Sequence, residues 1–311
     1  MLVLSGFCVV LYLNRDRFSE AEIDLLPLMA VASSLFLVSR VAVASATFMT
    51  LRSNASTVRF IPLILLDLST SFINYLPMKA GLFVKALYLK TVEDIEYSKF
   101  AASIFMVNSA QIMTAMALAL LAGAFFVQSG AQEISRQSVL LVIAALLIVL
   151  MFFSIGALSK MILRFGVFHR HVNAWARSVS SMNSSIREIS TQAVLGVTVG
   201  LLVSVRLYLC FLMVGTTVSI FAAILMAMLA VPARLVAIMP GGIGVREAMI
   251  VGGGFLAGIP LELALAAASL DRLIQFSTLT LVGGIAIVPL NRRFRSALER
   301  QEQLRGKWPN L

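Results

Sequence analysis

Long apolar runs dominate this chain and restrict it to a fold that is built within a membrane. About 20 consecutive apolar residues are needed for an α-helix to cross the hydrocarbon core of a bilayer. A short apolar run begins at Met1, and five longer runs follow it, at residues 25–49, 100–128, 139–159, 193–214 and 263–288. Runs of this length are typical of transmembrane helices, whose backbone hydrogen bonds are all satisfied internally. We therefore predict an all-α polytopic membrane protein.

The composition agrees with a membrane protein and argues against nucleic-acid binding. Hydrophobic residues make up 59% of the chain and charged residues only 13%, whereas soluble domains carry about 25% charged residues. The net charge is +10, but most lysines and arginines lie in short loops and in the C-terminal tail. That distribution is an orientation signal, so we expect no nucleic-acid partner. Cys8 and Cys210 both lie in apolar runs, and we expect them to be buried thiols.

The basic loops orient the helices. Cytoplasmic loops of membrane proteins carry an excess of lysine and arginine, and such an excess occurs in the segments 79–99 and 160–188 and after residue 291. The segment 14–24 has four acids against two arginines, which favours the outside. These assignments predict six full spans, with both termini in the cytoplasm of a bacterial or archaeal cell and the chain in its inner membrane. We expect the run from Met1 to be a spanning helix with a missing beginning, because it lacks the features of a signal peptide.

Two apolar segments do not fit one clean span each. Segment 60–76 has Asn74 near its end and is followed by Pro77 and Gly81, and segment 220–259 is interrupted by Pro and Gly at 240–244. The predicted topology requires residues 60–90 to enter from the cytoplasm and return. It also requires 220–259 to enter and return from outside, or to cross twice on short helices.

Each broken segment lies between two full spans, and this gives the chain two similar halves. Residues 25–128 and 193–288 would then be oppositely oriented repeats, which is typical of transporters with a binding site near the midplane. We treat residues 1–290 as one transmembrane domain and 291–311 as a basic cytoplasmic tail.

Charged side chains within the apolar segments are the strongest candidates for function. A charge at the centre of a transmembrane helix costs about 2.5–3.5 kcal/mol on insertion scales. The eight such residues are Arg40, Asp67, Arg206, Arg234, Arg246, Glu247, Asp271 and Arg272. One interpretation is structural pairing, for example Arg246 with Asp271 or Arg272 with Glu247. The other is an anion site, because cations exceed acids by two and arginine binds phosphate oxygens through a planar fork.

The glycine-rich break is consistent with the same anion site. Gly241, Gly242 and Gly244 allow close backbone approach, and the N–H groups of the helix that follows would attract an anion. Arg246 would lie in the first turn of that helix, where a cation is unfavourable without compensation. The compensating charge would come either from a bound anion or from Glu247.

The first half offers a second group of polar residues. Asp67 precedes Asn74 by seven residues, about two helical turns, so both side chains would lie on one helix face. Lys79 and Lys85 flank an amphipathic stretch at 80–90. That stretch is either an interfacial helix with snorkelling lysines or an entry patch that gathers lipid phosphates.

The sequence carries no sign of catalytic chemistry. It has no Walker sequence, no nucleophile–base pair and no cluster of metal ligands. His169 and His171 lie beside Arg170 in a basic segment and are expected to face lipid headgroups. We therefore expect the chain to have no enzyme activity and to need no cofactor or metal.

The motifs of the second half resemble those of the lysylphosphatidylglycerol synthase transmembrane-region family, whose members are also described as flippase-like membrane proteins. The family has a Pro-Gly-Gly-x-Gly-x-x-Glu turn, followed by a helix with Arg before Gly-Gly. The corresponding residues here are 240–247, Arg272 and Gly283-Gly284. The resemblance covers residues 25–290, and this motif is its more specific part.

The first half resembles the same family but departs from it twice. Arg40 matches an arginine in an early span, and residues 74–82 match an Asn-x-Leu-Pro-x-Arg-x-Gly-Glu stretch. Lys79 stands in place of the usual Arg, and Leu82 in place of the usual Glu. The second departure removes a charge partner that an ion-coupled step would use. The synthases of the family carry a soluble domain after the membrane region, whereas the sequence runs only about twenty residues past its last predicted span, and we therefore expect no synthase reaction from it.

The resemblance implies translocation of a membrane lipid or a lipid-linked sugar. Our first hypothesis is thus a flippase-like transporter of an anionic phospholipid or a polyprenyl-phosphate-linked sugar. A second is a membrane-embedded glycosyl- or phosphotransferase that uses the acids at 14–24. A third is a non-transporting partner of a separately encoded biosynthetic enzyme. The residues that we expect to bind the substrate are Arg40, Asn74, Lys79, Arg234, Gly241, Gly242, Gly244, Arg246, Glu247, Asp271 and Arg272.

Overall fold

A computed structural model describes residues 25–52, 58–75, 80–128, 186–234 and 244–307. These residues form helices and turns, without a strand, which confirms the predicted all-α membrane fold. In chain order the helices are α1 (Leu25–Arg52), α2 (Phe60–Ile73), α3 (Ala80–Glu93), α4 (Tyr97–Gln128), α5 (Ile186–Met213), α6 (Ile220–Leu229), α7 (Val245–Leu256) and α8 (Leu261–Lys307). A short 3-10 helix, Pro232–Arg234, follows α6.

Four of these helices are long and apolar enough to cross a membrane, namely α1, α4, α5 and α8. They coincide with the predicted spans at 25–49, 100–128, 193–214 and 263–288. The predicted span at 139–159 and the run that begins at Met1 lie outside the described residues. The total of six spans and the inverted repeat therefore stay predictions.

The two broken segments contain short helices. α2 has 14 residues and α6 has 10, which correspond to about 21 Å and 15 Å at 1.5 Å per residue. Neither length spans a hydrocarbon core of about 30 Å. The connections at 76–79 and 235–243 lie outside the described residues, and with them Lys79, Gly241 and Gly242.

Local sequence signals account for the ends of the central helices. α5 ends at Met213, two residues before Gly215, whose φ of +78° is a backbone conformation that only glycine adopts without strain. The N–H of Thr216 then donates to the carbonyl of Phe211 at 3.0 Å, as in a Schellman motif. α6 begins after Ser219, whose hydroxyl accepts a hydrogen bond from the Ala222 N–H at 3.1 Å.

Small residues bring the long helices close together. A Cβ built on Gly200 of α5 would lie 2.8 Å from a methyl group of Leu118 on α4, so the glycine sets that helix separation. Close approach at glycine is the usual way in which membrane helices pack. Large apolar side chains on the outside stay exposed, for example Phe255 and Ile285 at 77% and 74%. Such a surface suits contact with lipid.

α8 is much longer than one span. Its 47 residues correspond to about 70 Å, and the helix continues through Pro289 to Lys307. The basic segment that begins at residue 291 is thus helical as far as Lys307. Phe294 in this segment stacks on Tyr88 of α3, with ring centroids 6.2 Å apart.

Candidate functional site

A polar cavity of about 330 Å³ lies between helices of the first half of the chain and helices of the second. Helices α1 to α4 line it on one side, and Val231, the 3-10 helix, α7 and α8 contribute the rest of the wall. Its charged and amide side chains are Arg40, Asp67, Asn74, Lys85, Asn108, Gln111, Arg246, Arg272 and Gln275. The volume is near the lower end of the range of about 300–1,000 Å³ that is usual for small-molecule sites.

Asp67 is the centre of the charged cluster in the first half. Its carboxylate accepts hydrogen bonds from Arg40 Nη2 at 2.5 Å and from Lys85 Nζ at 2.8 Å. Arg40 Nη2 also donates to the hydroxyl of Ser71 at 2.5 Å. Asp67 is buried, and two cations pair with its single negative charge.

The interpretation of Lys85 as an interfacial, snorkelling lysine is wrong. Lys85 is 5% exposed, and its ammonium group faces Asp67 inside the bundle. The buried carboxylate explains this position, because it stabilises the ammonium group of Lys85 in place of the water that would solvate a lysine at the interface. Lys85 therefore does not contribute to the basic character of a cytoplasmic loop at 79–99.

Gly81 makes the Asp67–Lys85 contact possible by letting α3 approach α2. A Cβ at position 81 would lie 1.9 Å from the carbonyl oxygen of Thr70 and 2.7 Å from Oδ1 of Asn74. Real Cβ atoms do not come so close to backbone oxygen. The glycine is therefore required for this helix pair.

Asp271 is the centre of the cluster in the second half. It is fully buried, and it accepts hydrogen bonds from Arg206 Nε at 2.6 Å and Arg246 Nη2 at 2.5 Å. Gln275, one turn later on α8, donates to the same carboxylate at 2.7 Å. The pair of Arg246 and Asp271 proposed from the sequence is thus present, with Arg206 as an additional partner.

Glu247 joins the start of α7 to α8. Its carboxylate accepts from the Gly244 N–H and from Arg272 Nε, each at 2.8 Å. Gly244 has a φ of +90°, which favours glycine at this helix start. Glu247 therefore supplies the compensating negative charge at the helix start, close to Arg246. Arg272 also lies over the ring of Tyr75, 5.9 Å from its centroid.

The charges of the cavity wall are unbalanced in favour of cations. Four cationic side chains line the cavity, Arg40, Lys85, Arg246 and Arg272, against one carboxylate, Asp67. Asp271 and Glu247 lie behind the wall and pair with two of the cations. Structural pairing and an excess of positive charge therefore occur together. Within the described helices, no three His, Cys, Asp or Glu side chains come together as a metal site.

The structure brings together most of the substrate-binding residues predicted from the sequence. Those that line the cavity are Arg40, Asn74, Arg246 and Arg272. Those that hold the wall from behind are Glu247 and Asp271. Arg234 belongs to the 3-10 helix and Gly244 precedes α7.

Sequence reasoning missed Lys85, Asn108, Gln111 and Gln275 as cavity residues. Lys85 could have been found from the sequence. A lysine within the apolar stretch of α3 needs an acidic partner, and Asp67 in the neighbouring segment had no assigned partner. Gln275 follows Asp271 by four residues, a spacing at which side chains meet on a helix.

Comparisons with known proteins agree with the membrane fold. The sequence model of the lysylphosphatidylglycerol synthase TM region matches residues 2–283. A UPF0104 membrane protein of Methanothermobacter thermautotrophicus is 34% identical over 91 residues, which are 29% of this chain and 26% of that protein. A UPF0104 membrane protein of Pyrococcus horikoshii is 34% identical over 84 residues, 27% of this chain and 25% of that protein.

The chain aligns with only about a quarter of the length of these two relatives. No solved structure matches it. The family match, in contrast, covers almost the whole sequence, including every described residue that lines the cavity. The chain is thus an integral membrane protein that belongs to the lysylphosphatidylglycerol synthase transmembrane-region family.

Proposed function

We propose that the protein is a flippase-like transporter that moves an anionic phospholipid or a polyprenyl-phosphate-linked sugar between membrane leaflets. The observation that carries this proposal is the cavity between the two halves of the chain, with four cations and one carboxylate in its wall. Three of the four cations are arginines, which stay ionised and bind phosphate oxygens. The proposal puts the protein in the cytoplasmic membrane with both termini inside, as the basic segments predict.

The cations would offset the main energetic cost of lipid translocation, which is the transfer of an ionised phosphate into the membrane. An isolated ionised group costs tens of kcal/mol to move from water into a medium of low dielectric constant by Born estimates. Fixed positive charges in the cavity would replace the water that a phosphate loses. Leu82, which stands where the family usually has Glu, also lines the cavity. The wall is therefore more positive than the family pattern implies.

The size of the cavity suits a headgroup and excludes the lipid chains. A volume of about 330 Å³ holds a small molecule, whereas two acyl chains or a polyprenyl chain would stay in the surrounding lipid. The headgroup would be held between the first half, at Arg40, and the second, at Arg246. Rearrangement of the two halves around the bound phosphate would open the cavity to one leaflet and then to the other.

The test is a leaflet-exchange assay in proteoliposomes. Purified protein is reconstituted with an anionic phospholipid that carries a fluorophore on its acyl chain, and dithionite bleaches the outer leaflet. The wild type is expected to lose fluorescence well beyond the roughly half that is lost without exchange. In Arg40→Gln the loss is expected to stop near half, because a binding cation is missing. This variant keeps Lys85 as counter-ion of Asp67, which protects the fold.

Arg295→Gln is the matched control, because Arg295 is exposed on α8 and does not line the cavity. It is expected to bleach like the wild type. A plateau near half for the wild type with every phospholipid and polyprenyl phosphate would contradict the proposal. Stoichiometric recovery of one biosynthetic enzyme in the same preparation would then favour the partner hypothesis.

A further inference from the structure

Three buried polar atoms of the cavity side chains lack a hydrogen-bond partner among the described residues. They are Nε of Arg40, Nη1 of Arg246 and Oδ1 of Asn74, and all three side chains line the cavity. A buried polar atom without a partner is unfavourable, so native proteins rarely leave several in one place. Their grouping around one cavity indicates that a ligand satisfies them.

The two donors come from opposite halves of the chain and are held in fixed orientations. Arg40 on α1 uses Nη2 for Asp67 and Ser71, and this leaves its Nε without a partner. Arg246 on α7 uses Nη2 for Asp271, and its Nη1 is left in the same way. The paired acids thus position each guanidinium group and leave one nitrogen of each, Nε of Arg40 and Nη1 of Arg246, to donate to an anion. A phosphate has the several charged oxygens that two such donors require.

The third atom requires a different chemical group. Oδ1 of Asn74 is an acceptor, and an ionised phosphate diester has no proton to donate to it. A hydroxyl or an amine on the ligand would supply the donor that this oxygen needs. Gly81 gives that oxygen its room, because a Cβ there would lie 2.7 Å from it.

We propose that the cavity selects a phosphate diester whose headgroup carries a hydroxyl or amine donor. The phosphate bridges Arg40 and Arg246, and the donor of the headgroup binds Asn74. This inference rests on the proposed function in one respect, that the phosphate belongs to a lipid. Lipids that present the same phosphate charge without a donor are bound less tightly.

The test compares two lipids that differ in the donor alone. Phosphatidylglycerol and phosphatidylmethanol with the same short chains have the same charge, and only the first has headgroup hydroxyls. Their dissociation constants for the delipidated full-length protein in detergent are measured by calorimetry. Phosphatidylglycerol is expected to bind about three- to tenfold more tightly, the range of one net hydrogen bond.

Variants then assign the donor and the phosphate to their partners. Asn74→Leu is expected to remove the preference by weakening phosphatidylglycerol alone, whereas Asn291→Leu, at an exposed asparagine of α8, keeps it. Arg246→Lys retains the charge but lacks the separate Nη1 group that would reach the phosphate while Nη2 stays on Asp271, and it is expected to weaken the binding of both lipids by the same factor. Melting temperatures show whether each variant is folded, and Asn74→Ala, which also lacks the acceptor oxygen, replaces Asn74→Leu if that variant does not fold.

Each result decides the proposal. Equal binding of the two lipids to the wild type would overturn it, and so would a preference that survives in Asn74→Leu. Inorganic phosphate that binds as tightly as phosphatidylglycerol would show a free-phosphate site and overturn the lipid assignment. If the preference depends on Asn74 but no leaflet exchange occurs, the binding site stands and the transport function falls.

Discussion

Arg206 and Asp271, 65 residues apart in the sequence, form a buried ion pair with Nε 2.6 Å from the carboxylate. The pair links α5 to α8, and Arg246 brings α7 to the same carboxylate. One acid thus fixes three helices around the second half of the cavity wall. Removal of this acid would leave two arginines buried without their counter-charge.

Asp271→Asn is therefore expected to destabilise the protein strongly. Breaking a buried ion pair by removing one partner costs about 3–5 kcal/mol, and here two cations lose the same partner. The free energy of unfolding is measured by SDS titration in mixed micelles. Asp94→Asn is the control, because Asp94 is exposed at 90% and its positive φ of 52° is one that asparagine tolerates. If both variants unfold like the wild type, the Asp271 cluster has no structural role.

Asp67 and Lys85 are expected to be energetically coupled. Their atoms lie 2.8 Å apart in a buried site, and side chains in direct contact typically show interaction energies of about 0.5–3 kcal/mol. A double-mutant cycle with Asp67→Asn and Lys85→Met measures this coupling through the unfolding free energy. The double variant should lose less stability than the two single losses together. Simple additivity would place Lys85 at the interface after all.

Gly81→Ala is expected to disturb the first half of the cavity. The new methyl group would lie 1.9 Å from the Thr70 carbonyl oxygen, so α2 and α3 would have to separate. Overpacking of this kind costs about 1–3 kcal/mol or more.

Gly252→Ala is the matched control for that change, since a Cβ at Gly252 meets nothing within 4 Å. It lies in α7, where alanine is a better helix former than glycine by about 1 kcal/mol. The thermal unfolding temperature in detergent should fall for Gly81→Ala and stay equal or rise for Gly252→Ala. Equal behaviour of the two variants would mean that α2 and α3 do not pack as described.

Much of this architecture is predictable because lipid imposes simple rules. Apolar length alone located α1, α4, α5 and α8, since each must cross about 30 Å of hydrocarbon. The cost of an unpaired charge in lipid suggested a pair of Arg246 and Asp271 as one of two interpretations, and the structure contains that pair. The length rule applies within a single helix, and the charge rule needs only two residues of opposite sign, so both can be read from the sequence.

The remaining features depend on how the helices pack, which no local pattern specifies. Lys85 looked interfacial because its burial depends on the approach of α3 to α2 at Gly81. Arg206 gave no sign of its partner, because several arginines had equal claims on Asp271 in the sequence. The three atoms without partners at the cavity could be found only once their side chains had been placed in space.

Glu247→Gln is expected to change transport kinetics while it preserves the fold. The amide oxygen of glutamine can still accept the hydrogen bond from the Gly244 N–H at the start of α7, but the negative charge that pairs with Arg272 is lost. Arg272 would then add its full charge to the cavity. A headgroup phosphate should therefore bind more tightly and be released more slowly. Tighter binding of the resting complex alone does not speed the transport step that follows it.

The initial rate of leaflet exchange, measured against the mole fraction of anionic lipid, tests this expectation. Both the half-saturating fraction and the maximal rate should fall in Glu247→Gln, by about three- to tenfold. Glu96→Gln changes an exposed acid away from the cavity and should leave both values as in the wild type. A higher half-saturating fraction in Glu247→Gln would mean that the charge on Arg272 does not act on the lipid, and that its pairing with Glu247 serves only to hold α7 against α8.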